Sequence, residues 1–268
     1  MRPAKITFPE EFLESSDGIT LPKKISCEAC RSGAGLDFDF TMAFQAIVDL
    51  DTKSIFSQEA LVRGKNQESA GSILSKVNDK NRYQFDQACR VKAIELASRL
   101  GIDSFLNINF LPNAVYRPET CIRTTLDASK QFSFPQSKII FEITEGEEVT
   151  NPEHIISIFR EYKNIGFLTA IDDFGAGYSG LNLLSKFLPD LIKLDMALIR
   201  NVDQNKNAQI IIKNIMNMCN ELEVNVIAEG IETQEELNVL RDSGIRYYQG
   251  YLFAKPSWES LAIVTYPN

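Results

Sequence analysis

The sequence predicts an α/β fold, a (β/α)8 TIM-like barrel with an antiparallel first strand, on three observations. The chain has 268 residues, a length at which such barrels run as one domain. Eight short apolar segments follow one another along it, and most end in a carboxylate, an amide or a lysine. Between the later segments lie amphipathic stretches long enough to form the helices that parallel crossovers need.

Residues 1–37 carry Pro3, Pro9, Pro22, Gly18, Gly33 and Gly35 among polar residues without a sustained period. They read as an extension or linker, leaving 38–268 as the domain. The first two strands are MAFQAIV from Met42 and IFSQEAL from Ile55, joined only by Asp49 to Ser54. A parallel crossover needs a dozen or more residues, so these two strands form an antiparallel hairpin. A helical pattern at 82–100 precedes FLNIN from Phe105 and KIIFEI from Lys138, and another at 152–165 precedes FLTAID from Phe167. Helices at 178–187, 203–222 and 233–243 then alternate with DLIKLD from Asp190, VNVIAE from Val224 and RYYQGYLF from Arg246. Gly101, Gly166 and Gly244 follow three of the helices, where a C-terminal cap favours glycine.

Composition narrows the function. Hydrophobic residues at 44% and charged residues at 24% describe an ordinary globular chain, and a net charge of −8 argues against a binder of DNA or RNA polymers. No apolar run reaches membrane-spanning length and the N-terminus has no hydrophobic signal core, so the expectation is a cytoplasmic protein without membrane contact. Five scattered cysteines do not make a disulfide framework, and Cys27 with Cys30 forms half a zinc site or a plain surface pair. The single histidine, His154, excludes histidine-rich metal centres and His-dependent triads, and it reads as a helix-surface residue.

The polar residues of the eight segments are Gln45, Glu59, Asn109, Glu142, Asp172 with Asp173, Lys193, Glu229 and Gln249. Strand ends at one mouth of a barrel are where such folds keep their chemistry, and an oxygen-rich set suits hard divalent cations. Singly, each carboxylate reads as a solvated residue or helix cap, Asn109 as a loop hydrogen-bonder and Lys193 as an ion-pair partner. Jointly, they read as one site.

The runs EALVRG at Glu59, NINFLP at Asn109, FEITE at Glu142, IDDFGAGYSGL at Asp172, DLIKLD at Lys193, AEGIET at Glu229 and QGYLF at Gln249 resemble, in order and spacing, the EAL family of cyclic di-GMP phosphodiesterases. The resemblance covers about 38–258 and implies hydrolysis of cyclic di-GMP to linear pGpG with Mg2+ or Mn2+, two ions, at the barrel mouth. It implies metal ligation by Glu59, Asn109, Glu142, Asp172 and Glu229, with Asp173 serving a second metal or the attacking water and Lys193 holding that water. Arg63 resembles the arginine that contacts a substrate phosphate, and Gln45, Leu61, Gln249 and Pro256 resemble residues lining the nucleotide pocket. Ordinary barrel packing and a surface ion pair are the plainer readings of these five. Glu145 resembles the residue that steadies the FGAGYSG loop, or a helix cap, and Glu232 is a supporting position beside the substrate. A homodimer formed near that loop, and an undefined regulatory protein partner, complete the expectation. The alternative is a receptor that binds cyclic di-GMP without hydrolysis and signals to a partner. Ala176, Gly180, Ala46 and Leu111 depart from the family pattern without removing a proposed ligand.

Overall fold

A computed structural model describes residues 36–115, 117–144, 152–177 and 180–267. Cys27, Cys30 and all but the last two residues of the 1–37 extension therefore lie outside the described residues. Leu36 and Phe38 already pack against the core.

The strands are β1 Thr41–Asp49, β2 Ser54–Arg63, β3 Phe105–Asn109, β4 Ile139–Thr144, β5 Leu168–Phe174, β6 Leu191–Leu194, β7 Asn225–Ala228 and β8 Tyr247–Tyr248. They pair in sequence order from β2 to β8, all parallel, and β1 closes the ring by pairing antiparallel with both β2 and β8. The short Asp49–Ser54 connection thus gives the expected hairpin, and the (β/α)8 TIM-like barrel with an antiparallel first strand is the fold observed. Helices Arg82–Arg99, Pro152–Ile165, Lys206–Glu221 and Gln234–Asp242 supply the outer layer.

Several elements differ from the sequence expectation. The last barrel strand is only two residues long, because the chain turns at Gly250 and crosses the β7 loop. A Cβ at Gly250 would lie 2.1 Å from the Ile231 carbonyl oxygen, so only glycine permits this crossing. A further short strand, β9 Ser257–Trp258, pairs with β1. The helix expected at 178–187 is described only as Gly180–Leu184, and short helices Ala70–Leu74, Pro118–Cys121 and Arg123–Gln131 were not foreseen.

Alternation along the strands divides the barrel interior into two levels. Ile47, Ile140, Ala170, Leu191 and Ile227 meet in an apolar floor. A side chain two residues further along a strand faces the same way one level higher. Glu142, Asp172, Lys193 and Glu229 follow Ile140, Ala170, Leu191 and Ile227 at that spacing. At the bottom of the hairpin Ile47 pairs with Ser57 but Val48 with Ile55, so Phe56 is the extra residue of a β-bulge. Phe56 there packs against the floor, with ring centroids 5.2 Å from Phe105 and 4.2 Å from Tyr247.

The β1–β8 seam is tied at this lower end by Arg246, whose Nε donates to both carboxylate oxygens of Asp49 at 3.0 Å. The Arg246 hydrogen bonds hold the Asp49 carboxyl down at about 2, below its usual 3.8. A depressed carboxylate contributes stability above the unfolded value that is lost as pH falls through the folded one. Asp49→Asn is therefore expected to lower the melting temperature by a few degrees at pH 7. Melting curves between pH 7 and pH 2 check this, with the difference from the unaltered protein shrinking as pH falls from 3.8 toward about 2.

Candidate metal centre

Above the apolar floor, β2, β4, β5 and the residue that follows β7 aim carboxylates at one ammonium. Lys193 Nζ lies 3.2 Å from Glu59 Oε2, 3.1 Å from Glu142 Oε2, 3.3 Å from Asp172 Oδ1 and 2.6 Å from Glu229 Oε1. Lys193 and Glu142 are fully buried, while Glu229 at the rim keeps 16% of its side chain exposed.

Amides complete the ring. Asn109 Nδ2 donates to Glu59 Oε1 at 2.9 Å, and Gln249 Nε2 donates to Glu59 Oε2 at 2.7 Å. Gln249 also reaches Gln45 Oε1 at 3.3 Å, and Gln45 in turn donates to the Ala254 carbonyl at 3.1 Å. Gln45 stands directly opposite Glu59 in the hairpin register, so β1 contributes to the same wall despite its reversed direction.

Asp172 and Asp173 are neighbours, and successive side chains of an extended strand face opposite ways. Asp173 nevertheless serves the same side because its backbone is left-handed, with φ of 54°. That conformation costs a non-glycine residue on the order of 1 kcal/mol and is best tolerated by Asp or Asn. The Asp173 N–H donates to Asp172 Oδ1 at 2.8 Å and secures the turn, which Gly175 continues at φ of 100°.

Two sets of carboxylates result, and they share Asp172. Oxygens of Glu59, Glu142 and Asp172 lie within 4.8 Å of one another, as do oxygens of Asp172, Asp173 and Glu229. This is an all-oxygen donor set of the kind hard divalent cations take. The charge balance points the same way, since four carboxylates and Asp173 surround one lysine. Burial, then the charges of Glu59 and Asp172 acting against Lys193, push the Glu142 carboxyl up to about 8. Burial and Asp172 push Glu229 up, burial and Glu59 push Asp172 up, and burial with Asp172 and Asp195 lifts Asp173 to about 6. Glu59 is the exception. Its burial is outweighed by Lys193, Gln249 and Asn109, and it falls below the usual range. Burial alone would lower the Lys193 ammonium, but the four carboxylates raise it well above the ordinary lysine value. The residues present fit a divalent cation better than they fit each other without one.

The outlying residues fall as follows. Leu61 and Arg63 continue the Glu59 face of β2 and are half-buried, with the Arg63 guanidinium donating to the Val62 carbonyl at 2.7 Å. Pro256 is half-buried, two residues past the Ala254 that holds Gln45. Glu232 is exposed and pairs with Arg200 at 2.8 Å, away from the contacts on Lys193. Glu145 lies outside the described residues, as do Tyr178 and Ser179 of the FGAGYSG loop. His154 bonds the Val115 carbonyl through its ring nitrogen, a helix-docking contact.

Two members of the site were not anticipated. Asn107, buried one level below Asn109, donates to Glu142 Oε1 at 2.5 Å. Its signal was present in FLNIN, where the two asparagines stand two residues apart and so share a face. Asp195, the cap of the Met196–Ile199 helix, lies beside Asp173, and its charge helps to raise that carboxyl.

The sequence profile described as EAL domain matches residues 33–256. A standalone versatile EAL protein from Vibrio cholerae O395, solved in its c-di-GMP-bound form, is 56% identical, with 86% of this chain and 97% of that one covered and a TM-score of 0.84. A manganese/cy-diGMP complex of Klebsiella pneumoniae BlrP1 is 34% identical, covers 84% of this chain and 57% of that one, and gives a TM-score of 0.79. Among curated relatives from Escherichia coli K12, the blue light- and temperature-regulated antirepressor BluF is 34% identical over 84% of this chain and 56% of its own length. The probable cyclic di-GMP phosphodiesterase PdeG is 31% identical over 60% of this chain and 32% of its own. The chain therefore spans about half of the one and a third of the other.

The raised carboxyls set a pH dependence. A folded-state value above the unfolded one means that the native ring binds more protons, so stability falls as pH rises between the two. For Glu142 that window runs from 4.5 to about 8. Metal-stripped protein is expected to melt at progressively lower temperature across it, and added Mg2+ or Mn2+ to raise the melting temperature most at the alkaline end. Scanning calorimetry with and without chelator checks both.

Proposed function

The chain belongs to the EAL domain family, and from that premise we propose that it is a metal-dependent phosphodiesterase hydrolysing cyclic di-GMP to linear pGpG, a cyclic-guanylate-specific phosphoric diester hydrolase. The observation that carries this reading is the pair of carboxylate sets sharing Asp172 around Lys193. A phosphodiester is anionic, and an acidic ring would repel it without screening.

Glu59, Asn109, Glu142 and Asp172 would hold one divalent ion and Asp172, Asp173 and Glu229 a second. Mg2+ or Mn2+ supplies there charge neutralisation and a water of lowered pKa. The chain's own groups do the rest. Lys193 donates hydrogen bonds to the attacking water and offsets the charge that develops on the phosphoryl oxygens. Asn109 and Gln249 fix the rotamer of Glu59, and Asn107 fixes that of Glu142, so the ligand oxygens are oriented before substrate arrives. The Arg63 guanidinium is a fork suited to a phosphate, and Gln45, Leu61, Gln249 and Pro256 line the nucleotide side. Glu232 supports the substrate from the rim, and Glu145, by the family resemblance, serves to steady the FGAGYSG loop.

Among the described residues no helix is long and apolar enough to cross a membrane, and a cytoplasmic homodimer paired near the FGAGYSG loop completes the proposal. The receptor reading draws on the relative named an antirepressor. It is weakened by the full carboxylate set, which a pure receptor does not need.

Purified protein is expected to convert cyclic di-GMP to pGpG with Mg2+ or Mn2+ and to stop on chelation, as nucleotide chromatography would show. Glu59→Gln should lose roughly 100-fold or more of turnover, with partial recovery at high Mn2+. Lys193→Met should lose a comparable factor that excess metal does not restore. Tight binding without pGpG would favour the receptor.

A further inference from the structure

Behind the ring, outside the barrel wall, lies a second buried polar group that the chemistry above does not use. Asp86 and Arg90, one turn apart on the Arg82–Arg99 helix, form an ion pair at 2.8 Å with both side chains almost wholly buried. Arg90 Nη1 donates to the hydroxyl of buried Tyr162 at 2.8 Å, and Gln87 Nε2 donates to Asp86 Oδ2 at 3.1 Å. The remaining Asp86 oxygen accepts the backbone N–H of Leu111 at 2.9 Å.

The placement of the guanidinium is what gives this group a role. It sits 5.3 Å from the ring centre of Phe110, 5.1 Å from that of Phe141 and 5.7 Å from that of Tyr162. Phe110 follows Asn109 and Phe141 precedes Glu142, and side chains alternate along a strand. Where Asn109 and Glu142 face inward, their neighbours face outward onto Arg90. The Phe110 N–H is itself bonded to the Glu142 carbonyl at 3.1 Å, so the two strand ends move as one piece. Phe110 and Phe141 also meet edge to face, at 5.8 Å.

We infer that the Asp86–Arg90–Tyr162 network is a positioning device for the metal centre: it grips the outward faces of the β3 and β4 ends and thereby sets where Asn109 and Glu142 present their oxygens. The network touches neither substrate nor metal. The inference rests on the reading of the ring as a divalent-cation site, and it concerns metal affinity rather than turnover.

Its test compares Asp86→Asn and Tyr162→Phe with Asp49→Asn, which breaks the ion pair at the opposite end of the barrel. Free Mn2+ is followed by electron paramagnetic resonance during titration of each folded protein, alongside melting curves and cyclic di-GMP hydrolysis at rising Mn2+. Asp86→Asn is expected to raise the Mn2+ dissociation constant roughly 10- to 100-fold, the range seen when a ligand's supporting partner is lost. Saturating Mn2+ should return its turnover to the unaltered level. Tyr162→Phe should show a smaller rise, and Asp49→Asn should melt lower with Mn2+ affinity unchanged. If Asp86→Asn does not fold, Tyr162→Phe carries the test, and an unchanged dissociation constant for it overturns the inference. Equal loss of affinity in Asp49→Asn also overturns it, since general destabilisation then accounts for the effect. Unaltered protein that binds Mn2+ but makes no pGpG overturns the enzyme reading alone, whereas protein that binds no Mn2+ overturns both.

Discussion

The Lys193 ammonium is the point on which the upper half of the barrel depends. Four carboxylates from β2, β4, β5 and the end of β7 converge on it within 3.3 Å, and no single strand could assemble that contact. Removing charges from water costs several kcal/mol each even after relaxation, so a cluster of this kind is poor evidence for stability. With more acids than cations, it is a place where the fold carries an electrostatic cost. Such a cost is tolerated where a functional cation relieves it, and the upward displacement of Glu142, Asp172 and Glu229 marks the deficit.

The rest of the architecture serves to hold that ring still. The apolar floor of Ile47, Ile140, Ala170, Leu191 and Ile227 fills the barrel beneath it and fixes the level at which the next inward residue stands. Asn107, Asn109 and Gln249 then lock individual carboxylate oxygens from inside. The Asp86–Arg90 pair grips the same wall from outside, through Leu111, Phe110 and Phe141. The left-handed turn at Asp173 breaks the strand pattern and brings a further acid to the same side.

Much of this was legible in the sequence because the information is local. A strand's inward face repeats every second residue, so Ile140 with Glu142 or Leu191 with Lys193 announces both a floor and a functional level. The Asp49–Ser54 link is too short for anything but a hairpin, which made the antiparallel β1 readable as well. What escaped was set by contacts distant in sequence. The β9 strand exists because Ser257 and Trp258 find the edge of β1, and the last barrel strand stops at Tyr248 because Gly250 must clear Ile231. Asp86 and Arg90 stand at the i, i+4 spacing common to any helix, and only the fold reveals that they reach Leu111 and two aromatic rings across the wall. The bulge at Phe56 left no local signal either, since IFSQEAL has no strict polar–apolar alternation whose interruption would mark an extra residue.

The central claim is that the ring is a divalent-cation centre divided at Asp172. Anomalous diffraction from crystals grown with Mn2+, collected on both sides of the manganese edge, tests it most directly. The account predicts one peak among Glu59, Asn109, Glu142 and Asp172 and a second among Asp172, Asp173 and Glu229. Crystals grown in Mn2+ that show no anomalous density inside the ring, with Lys193 still bridging all four carboxylates, would contradict it.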